Sequence, residues 1–261
     1  MLKPKNKLPK ISIITPSYNQ AEFIKRTIDS VLSQKYPDLE YIVMDGGSTD
    51  KTIGILKKYG HKIIWKSEKD KGQGDAINKG LKMASGDLLG YLNSDDTLKP
   101  NSLKTIAELY LKNPETRWFF GKCRIVDEKD REIRKKITAY KNFWLKRYDY
   151  RTLLILDYIS QPATFWTCEA YRKTGQFNEK EYWELDYEYW LRLGKKFQPL
   201  FIDKYLANFR VHNKAKTSLG VKHFWQEFEV AKRFTNNPLI LGLHLLNFLS
   251  IVVIYTLLSK K

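Results

Sequence analysis

The sequence predicts an α/β fold, a mostly parallel sheet flanked by helices and followed by a C-terminal helical tail. Short apolar runs rich in β-branched residues recur at 11–14, 41–44, 63–65 and 88–92. Segments with helical periodicity separate them, at spacings too wide for hairpins. With 261 residues, 43% of them hydrophobic and 14% aromatic, the chain can bury a sizeable core.

Each element has a local reason. Ile11-Ser-Ile-Ile14 reads as a buried strand ended by Thr15-Pro16. Asn19 is expected to cap a helix, with Glu22 three residues on and Ile24, Ile28, Val31 and Leu32 on one face. Tyr41 to Met44 forms a second strand, ending at Asp45-Gly46-Gly47. Ser48-Thr49-Asp50 supplies caps for a helix that Gly60 stops. Ile63-Ile64-Trp65 is a third strand, Asp75 to Ala84 a helix, Leu88 to Leu92 a fourth strand. A helix follows Pro100 to about Leu111. Arg117 to Gly121 and Cys123 to Val126 read as two strands, with a turn at Asp127 to Asp130. Residues 140–160 are aromatic and basic without clean periodicity. Thr164 to Thr167 and Pro199 to Ile202 read as strands flanking a helix that includes Asp186 to Leu193. The divisions are a basic N-terminal tail over 1–10, a nucleotide-binding half over 11–100, an acceptor half over 101–215 and C-terminal helices over 216–261.

The formal charge of +17 calls for a polyanionic partner, and composition leaves nucleic acid, anionic lipid and phosphorylated substrates open. Cys123 and Cys168 stand far apart and outside any CxxC pattern, which argues against a disulfide framework or thiolate zinc site. Residues 1–10 lack the apolar stretch of a signal peptide. These features together suggest a reducing compartment.

In an open parallel sheet, ligands bind beyond the carboxyl ends of the strands. The first strand delivers Thr15, Pro16, Ser17, Tyr18 and Asn19 there, the second Asp45, the fourth Asn93-Ser94-Asp95-Asp96. Adjacent carboxylates in a chain this basic suit a divalent cation held jointly with phosphate oxygens, and equally an Asp-Asp turn. Asp45 could cap its Gly-Gly turn or accept hydrogen bonds from a nucleotide. Gly72-Gln-Gly74 lacks the third glycine of GxGxxG, and no GxxxxGK[ST] loop occurs, which demotes dinucleotide and P-loop enzymes. A nucleic-acid-binding protein is a rival that the charge motivates, yet no such motif is legible. A sugar-nucleotide pyrophosphorylase would carry a glycine-rich basic loop where Pro16-Ser-Tyr-Asn19 stands.

Seven motifs in order resemble glycosyltransferase family 2: Ile11 to Asn19, Val43 to Asp50, Asp75 to Gly80, Leu92 to Asp96, Gln161 to Phe165, Asp186 to Arg192 and Phe209 to His212. The resemblance implies a GT-A (Rossmann-like) fold, a nucleoside-diphosphate sugar donor, and inversion at the anomeric carbon. By position it implies that Thr15, Pro16, Tyr18 and Asp45 hold the nucleoside, most often uridine, with Asn19 beside them. Asn93-Ser94-Asp95 occupies the family's DxD motif, with Asp95 as ligand to Mn²⁺ or Mg²⁺ and Asn93 replacing the first Asp. Asp75 and Lys79 would face the donor sugar and diphosphate. Asp186 matches the catalytic base of the family's ED motif, with Leu185 in place of the Glu. A His near His212 completes the metal site in some relatives, whereas a lone His is more often structural.

Residues 238–258 contain no Asp, Glu, Lys or Arg, and Lys260-Lys261 follow. About 20 helical residues match a bilayer core. A spanning helix, an interfacial helix and a buried helix all fit, and the basic, aromatic segment 222–233 favours anionic headgroups. The expectation is a cytoplasmic enzyme at the membrane face, acting on a glycan or lipid-linked acceptor.

Overall fold

The computed structural model describes residues 7–213 and 222–258, with side chains from 225 to 250 in the second stretch. Residues 1–6 of the expected basic tail, the expected boundary at 215/216 and Lys260-Lys261 lie outside the described residues.

The strands are β1 (Ile11–Ser17), β2 (Leu39–Asp45), β3 (Ile64–Ser67), β4 (Leu88–Tyr91), β5 (Thr97–Leu98), β6 (Trp118–Val126), β7 (Thr164–Thr167) and β8 (Leu200–Arg210). They form one sheet in the order β3-β2-β1-β4-β7-β6-β8-β5. β1 pairs in parallel with β2 and β4, and β2 with β3. β7 runs against β4 and β6, β8 parallel to β6, and β5 against β8. The sheet is therefore mostly parallel with β7 and β5 reversed. Helices α1 (Ile24–Leu32), α2 (Thr52–Lys57), α3 (Gln73–Met83) and α4 (Ser102–Lys112) make the early crossings.

Strand alternation decides which side chains feed which core layer. Ile14, Leu89, Trp118, Phe120 and Trp166 face one layer, where Trp190, Tyr187 and Tyr189 also lie. Ile13, Leu88, Phe119 and Phe165 face the other, with Ile28, Val43 and Leu103. The second-half helices are α5 (Lys135–Leu145), α6 (Tyr150–Ile155), α7 (Cys168–Thr174) and α8 (Leu185–Lys196). Stacked Phe177 and Tyr189 rings, 3.9 Å between centroids, and the Trp118–Trp190 stack at 6.1 Å lock them onto the sheet.

Four expectations are corrected. Asn19 does not cap α1: its φ is +53°, Phe23 is the N-cap, and Asn19 Oδ1 instead accepts from the Thr49 N–H at 2.9 Å. The two strands expected over 117–126 are one, β6, whose pairing with β8 slips at Gly121, Lys122 and Cys123; the glycine reads as a break in sequence but is a bulge. Residues 140–160 hold α5 and α6, and an Asp149 cap accepting from Thr152 N–H starts α6. The strand begun near 199 continues to Arg210 and so reaches the site.

The tail forms α9 (Lys222–Lys232) and α10 (Pro238–Leu258). His244 is 1% exposed and meets the Leu154 carbonyl through Nδ1 at 2.8 Å, while Leu239, Leu243, Leu246 and Leu249 are 40–69% exposed on the other side. Burial holds His244 below its ordinary pKa, so the neutral ring donates this bond. Among the described residues, no helix is long and apolar enough to cross a membrane; the side chains of 251–258 lie outside them.

Gly80 sets how closely α3 approaches β1, since a Cβ there would meet Ile14 Cγ2 at 2.5 Å and Cγ1 at 3.1 Å. Gly80→Ala should lower the unfolding free energy by about 1–3 kcal/mol, the usual range for overpacking, measured by urea denaturation.

Candidate active site

The sheet order reverses at β1, whose neighbours β2 and β4 leave a crevice at their carboxyl ends. Thr15 is fully buried with its hydroxyl 3.0 Å from that of Tyr41, so this side chain is already spent inside the sheet. Pro16 is buried beside it, whereas Tyr18 is 58% exposed and free to stack on a flat ligand. Asn19 stitches β1 to the 46–50 loop, its backbone N–H donating to Ser48 Oγ at 2.7 Å. Asp45 organises that loop: Oδ1 accepts from Ser48 Oγ, and Oδ2 accepts from Gly47 N, Ser48 N and Ser67 Oγ, all within 3.1 Å. The turn role read for Asp45 is therefore present in full.

The segment after β4 is held from three sides. Thr27 Oγ1 on α1 lies 2.8 Å from the carbonyls of both Ser94 and Asp96. Arg210, at the end of β8, donates from its backbone N–H to Asp96 Oδ1 and from Nε to the Asp95 carbonyl, each at 2.8 Å. Its Nη1 donates to the Asp127 carbonyl at 2.7 Å, and Nη2 pairs with the Asp130 carboxylate. Asp95 and Asp96 thereby separate into different environments. Asp96 is 1% exposed, and burial together with the Asp95 charge raises its carboxyl well above the usual range, against the pull of Arg210. Asp95 Oδ2 faces His212 Nε2 at 3.1 Å, while the Phe23 ring lies 4.4 Å from the imidazole.

His212 Nδ1 and Asp96 Oδ2 are buried without partners among the described residues. An outward carboxylate beside an imidazole is a donor set that Mn²⁺ accepts readily, with Mg²⁺ favouring the oxygen. No group of three or more His, Cys, Asp or Glu poised for a metal occurs among the described residues. The residues thus fit an ion shared with a phosphate ligand rather than a closed structural site.

Asn93 sits in a chain of amides: Gln73 Nε2 donates to its Oδ1 at 2.7 Å, its Nδ2 donates to Gln161 Oε1 at 3.3 Å, and Gln161 Nε2 donates to the Tyr91 carbonyl at 2.6 Å. Ser94 is buried beside it. Asp75 and Lys79 pair with each other along α3 at 3.1 Å, and Lys79 reaches Glu68 at 3.2 Å. Burial raises the Asp75 carboxyl, but the Lys71 N–H and Lys79 outweigh it and lower the pKa.

Asp186 lies in the first turn of α8, one residue inside the helix and two beyond the N-cap residue Glu184, and its Oδ1 accepts from Tyr187 N–H at 3.1 Å. Its charge acts on Tyr91, at the end of β4. Burial raises this phenol well above its ordinary value, and the charges of Asp186, Asp96 and Asp157 raise it further. The three carboxylates thus act on one phenol at the end of β4. Sequence reading assigned no role to Gln73, Gln161, Arg210 or Asp157. It also passed over Asn78, which is buried and bonds Phe177 and Glu179 ahead of α8. Asn78, Gln161 and Arg210 stood inside the family motifs, the only signal available; Gln73 and Asp157 are visible only through contacts distant in sequence.

The sequence model of glycosyl transferase family 2 matches residues 12–175, more than half of the chain. The chain belongs to glycosyltransferase family 2. An uncharacterised glycosyltransferase of Rickettsia typhi is 27% identical over 241 residues, covering 89% of this chain and 75% of that protein. The chondroitin synthase of Escherichia coli is 28% identical over 241 residues, 84% of this chain but 34% of the synthase. The hyaluronan synthase of Pasteurella multocida is 29% identical over 83% of this chain and 22% of its own length. Among solved structures, S. aureus TarS 1–349 in complex with UDP-GlcNAc superposes with a TM-score of 0.68 at 20% identity, over 86% of this chain and 66% of that one. A mannosyltransferase from Pyrobaculum calidifontis, in complex with GDP-Man and Mn²⁺, gives 0.69 at 18%, over 92% and 70%. The fold is GT-A.

Asn93→Asp would restore the first Asp of the DxD pattern but set a carboxylate oxygen against Gln161 Oε1. Loss of that donor should cost about 1–3 kcal/mol of stability without added metal, read by denaturant titration.

Proposed function

We propose that this glycosyltransferase moves a sugar from a nucleoside-diphosphate donor, with uridine as the nucleoside, onto an acceptor hydroxyl with inversion. One observation carries the reading: Asp186 of α8 and Asp96, the neighbour of the Asp95–His212 pair, both act on the Tyr91 phenol at the end of β4. Direct displacement needs a base for the acceptor proton on one side and relief of diphosphate charge on the other. Asp186 is the base: its carboxylate takes the hydroxyl proton as the acceptor oxygen bonds to the anomeric carbon and the diphosphate leaves. Asp95 and His212 would hold Mn²⁺ or Mg²⁺, which neutralises charge on the leaving diphosphate when bound. Tyr18 and the Asp45 loop receive the nucleoside, with Thr15, Pro16 and Asn19 as its floor. Asn93 and Ser94 line the sugar side. Asp75 and Lys79 border the diphosphate as an ion pair, not as free charges. The UDP-GlcNAc bound by TarS supports a uridine donor, and the Mn²⁺ bound by the Pyrobaculum enzyme supports the metal.

The likeness to chondroitin and hyaluronan synthases supports a place in polysaccharide, lipid-linked glycan or cell-envelope synthesis. The enzyme works at the cytoplasmic face of an anionic membrane, on a glycan or lipid-linked acceptor. The leucines exposed along α10, the half-exposed Trp225 of α9 and a net charge of +17 support this reading. The polar His244 and the packed face of α10 turn toward α6 and α9, which suits a helix lying in the interface.

Nucleotide sugars screened with Mn²⁺ should raise the melting temperature, since a ligand bound only by the native state stabilises it. Asp186→Asn should keep that shift and lose transfer by at least about a hundredfold; near-normal turnover would assign the proton to another group. Flotation with anionic liposomes tests the membrane reading separately. Leu243→Asp with Leu246→Asp should abolish binding, each apolar side chain being worth about 1.5–3 kcal/mol when buried. Equal flotation of the variant would remove α10 as the docking element.

A further inference from the structure

Just ahead of α8 the chain makes a short excursion whose two feet stand on one point of α3. A Cβ at Gly74 would lie 3.2 Å from Glu179 Cα and 3.3 Å from Leu185 Cδ1, so the absent side chain lets both ends close on the helix. One turn further along α3, the Asn78 amide brackets Phe177. Its Oδ1 accepts from the Phe177 N–H and its Nδ2 donates to the Phe177 carbonyl, each at 2.9 Å, and to Glu179 Oε1 at 3.0 Å. The outer side is tied as well. The Glu181 N–H donates to the Asn178 carbonyl at 3.0 Å and closes a turn. Glu181 Oε1 accepts from Asn178 Nδ2 at 3.1 Å and from Arg233 Nη1, just past α9, at 2.6 Å.

What this anchored segment displays is an aromatic pair. Tyr182 is 60% exposed, and Trp183 braces it edge-on, with ring centres 4.9 Å apart and planes at 87°. A ring left in water adds little to the stability of the fold, yet bonds to α3 and to the end of α9 fix the segment that carries it. The position says what could use it. Gly74 adjoins Asp75, which with Lys79 borders the diphosphate, and Asp186 follows Trp183 by three residues. The pair therefore stands between the donor helix and the base, on the route of the incoming hydroxyl. Its surroundings are polar, with Glu179 and Lys180 exposed beside it. One aromatic face with a polar fringe matches a pyranose, whose C–H face meets the negative face of the ring while its hydroxyls meet the fringe. A lipid chain needs a contiguous apolar surface, which a single ring among charged groups does not offer.

We propose that Tyr182, braced by Trp183, is the stacking platform of an acceptor subsite, and that the acceptor presents a pyranose ring there. The inference rests on the transfer reading, with Asp186 as the base that receives the hydroxyl proton. It narrows the acceptor to a glycan end, bound by its sugar ring, and excludes a bare lipid alcohol or lipid phosphate as the group recognised at this point. Because the feet of the excursion rest on α3, the platform is in place before either substrate binds.

The test compares the full wild-type chain with Tyr182→Phe and Tyr182→Ala by saturation-transfer NMR, in the presence of UDP and Mn²⁺. The probes are the methyl pyranosides of glucose, galactose, mannose and N-acetylglucosamine, with octanol as the apolar control. Wild type should pass saturation to the ring C–H protons of at least one glycoside. The Phe variant keeps the ring and should keep that signal. The Ala variant should bind the same glycoside about tenfold more weakly or worse, the weight of a lost aromatic contact. All three proteins should show the same rise in Tm with UDP and Mn²⁺, which separates a lost platform from a lost fold. The idea is overturned if the Ala variant keeps the wild-type signal, if the Phe variant loses it, if no glycoside is saturated, or if octanol takes the saturation in place of the sugars. A wild type with no UDP shift would instead sink the nucleotide-sugar reading, while the glycoside signals still decide the role of Tyr182.

Discussion

A guanidinium buried to 1% exposure must spend its donors on protein, and Arg210 spends them on the Asp95–Asp96 turn and on the turn after β6. It reaches the Asp95 carbonyl, the Asp127 carbonyl and the Asp130 carboxylate, while its own N–H holds Asp96. These partners lie 80–115 residues earlier in the chain, so the bonds exist only when β8 is seated beside β6. Fold and site are coupled at this residue. Removing the guanidinium would leave the Asp95 and Asp127 carbonyls without their donor and the Asp130 carboxylate without its partner, so the turns around β4 and β6 would lose a shared anchor. Arg210 also presents its guanidinium 5.6 Å from the Phe23 ring centre, and the same ring packs on His212. The aromatic group thus sits between the structural cation and the His212 imidazole.

The first half of the fold was legible because β1, β2 and β4 are short apolar runs largely buried on both faces and α1 carries one apolar stripe. Parallel sheets leave that signature in sequence. The second half was less legible for a physical reason. β6 bulges at Gly121, α5 buries only Thr138 and Leu145 completely, and β8 alternates buried and half-exposed residues as it leaves the edge. Local pattern there is weak, and aromatic contacts such as Phe177 on Tyr189 supply the order instead. At the site, Asp95, His212, Asn93 and Asp186 were readable as motif positions. The amide relay through Gln73 and Gln161 was not, since it joins residues 20 and 68 positions apart and depends on register. Asn19 failed as a cap because its left-handed backbone serves the loop after β2, a conformation Asn tolerates and sequence spacing does not reveal.

How the carboxylates are satisfied sorts them by role. Asp45 accepts four bonds from its own loop and neighbouring strand, Glu188 grips Arg192 through both oxygens, and Asp75 is neutralised by Lys79. Each is complete within the protein, and a ligand can add little to it. Asp96 Oδ2, Asp157 Oδ1 and His212 Nδ1 are buried and unpartnered. A fold that leaves such atoms unpaired accepts a cost of about 1–3 kcal/mol for each. Buried unpartnered polar atoms also occur far from the strand ends, Trp144 Nε1, Thr174 Oγ1 and Tyr189 Oη among them, so an unmet hydrogen bond does not by itself mark a functional residue. What distinguishes Asp96 Oδ2 and His212 Nδ1 is their place after β4 and β8, where Arg210 fixes the backbone beside them. Electrostatic groups set in place before the substrate arrives are worth most where they need not reorganise. The bonds of Arg210 hold the Asp95–Asp96 turn in that way before any ligand arrives.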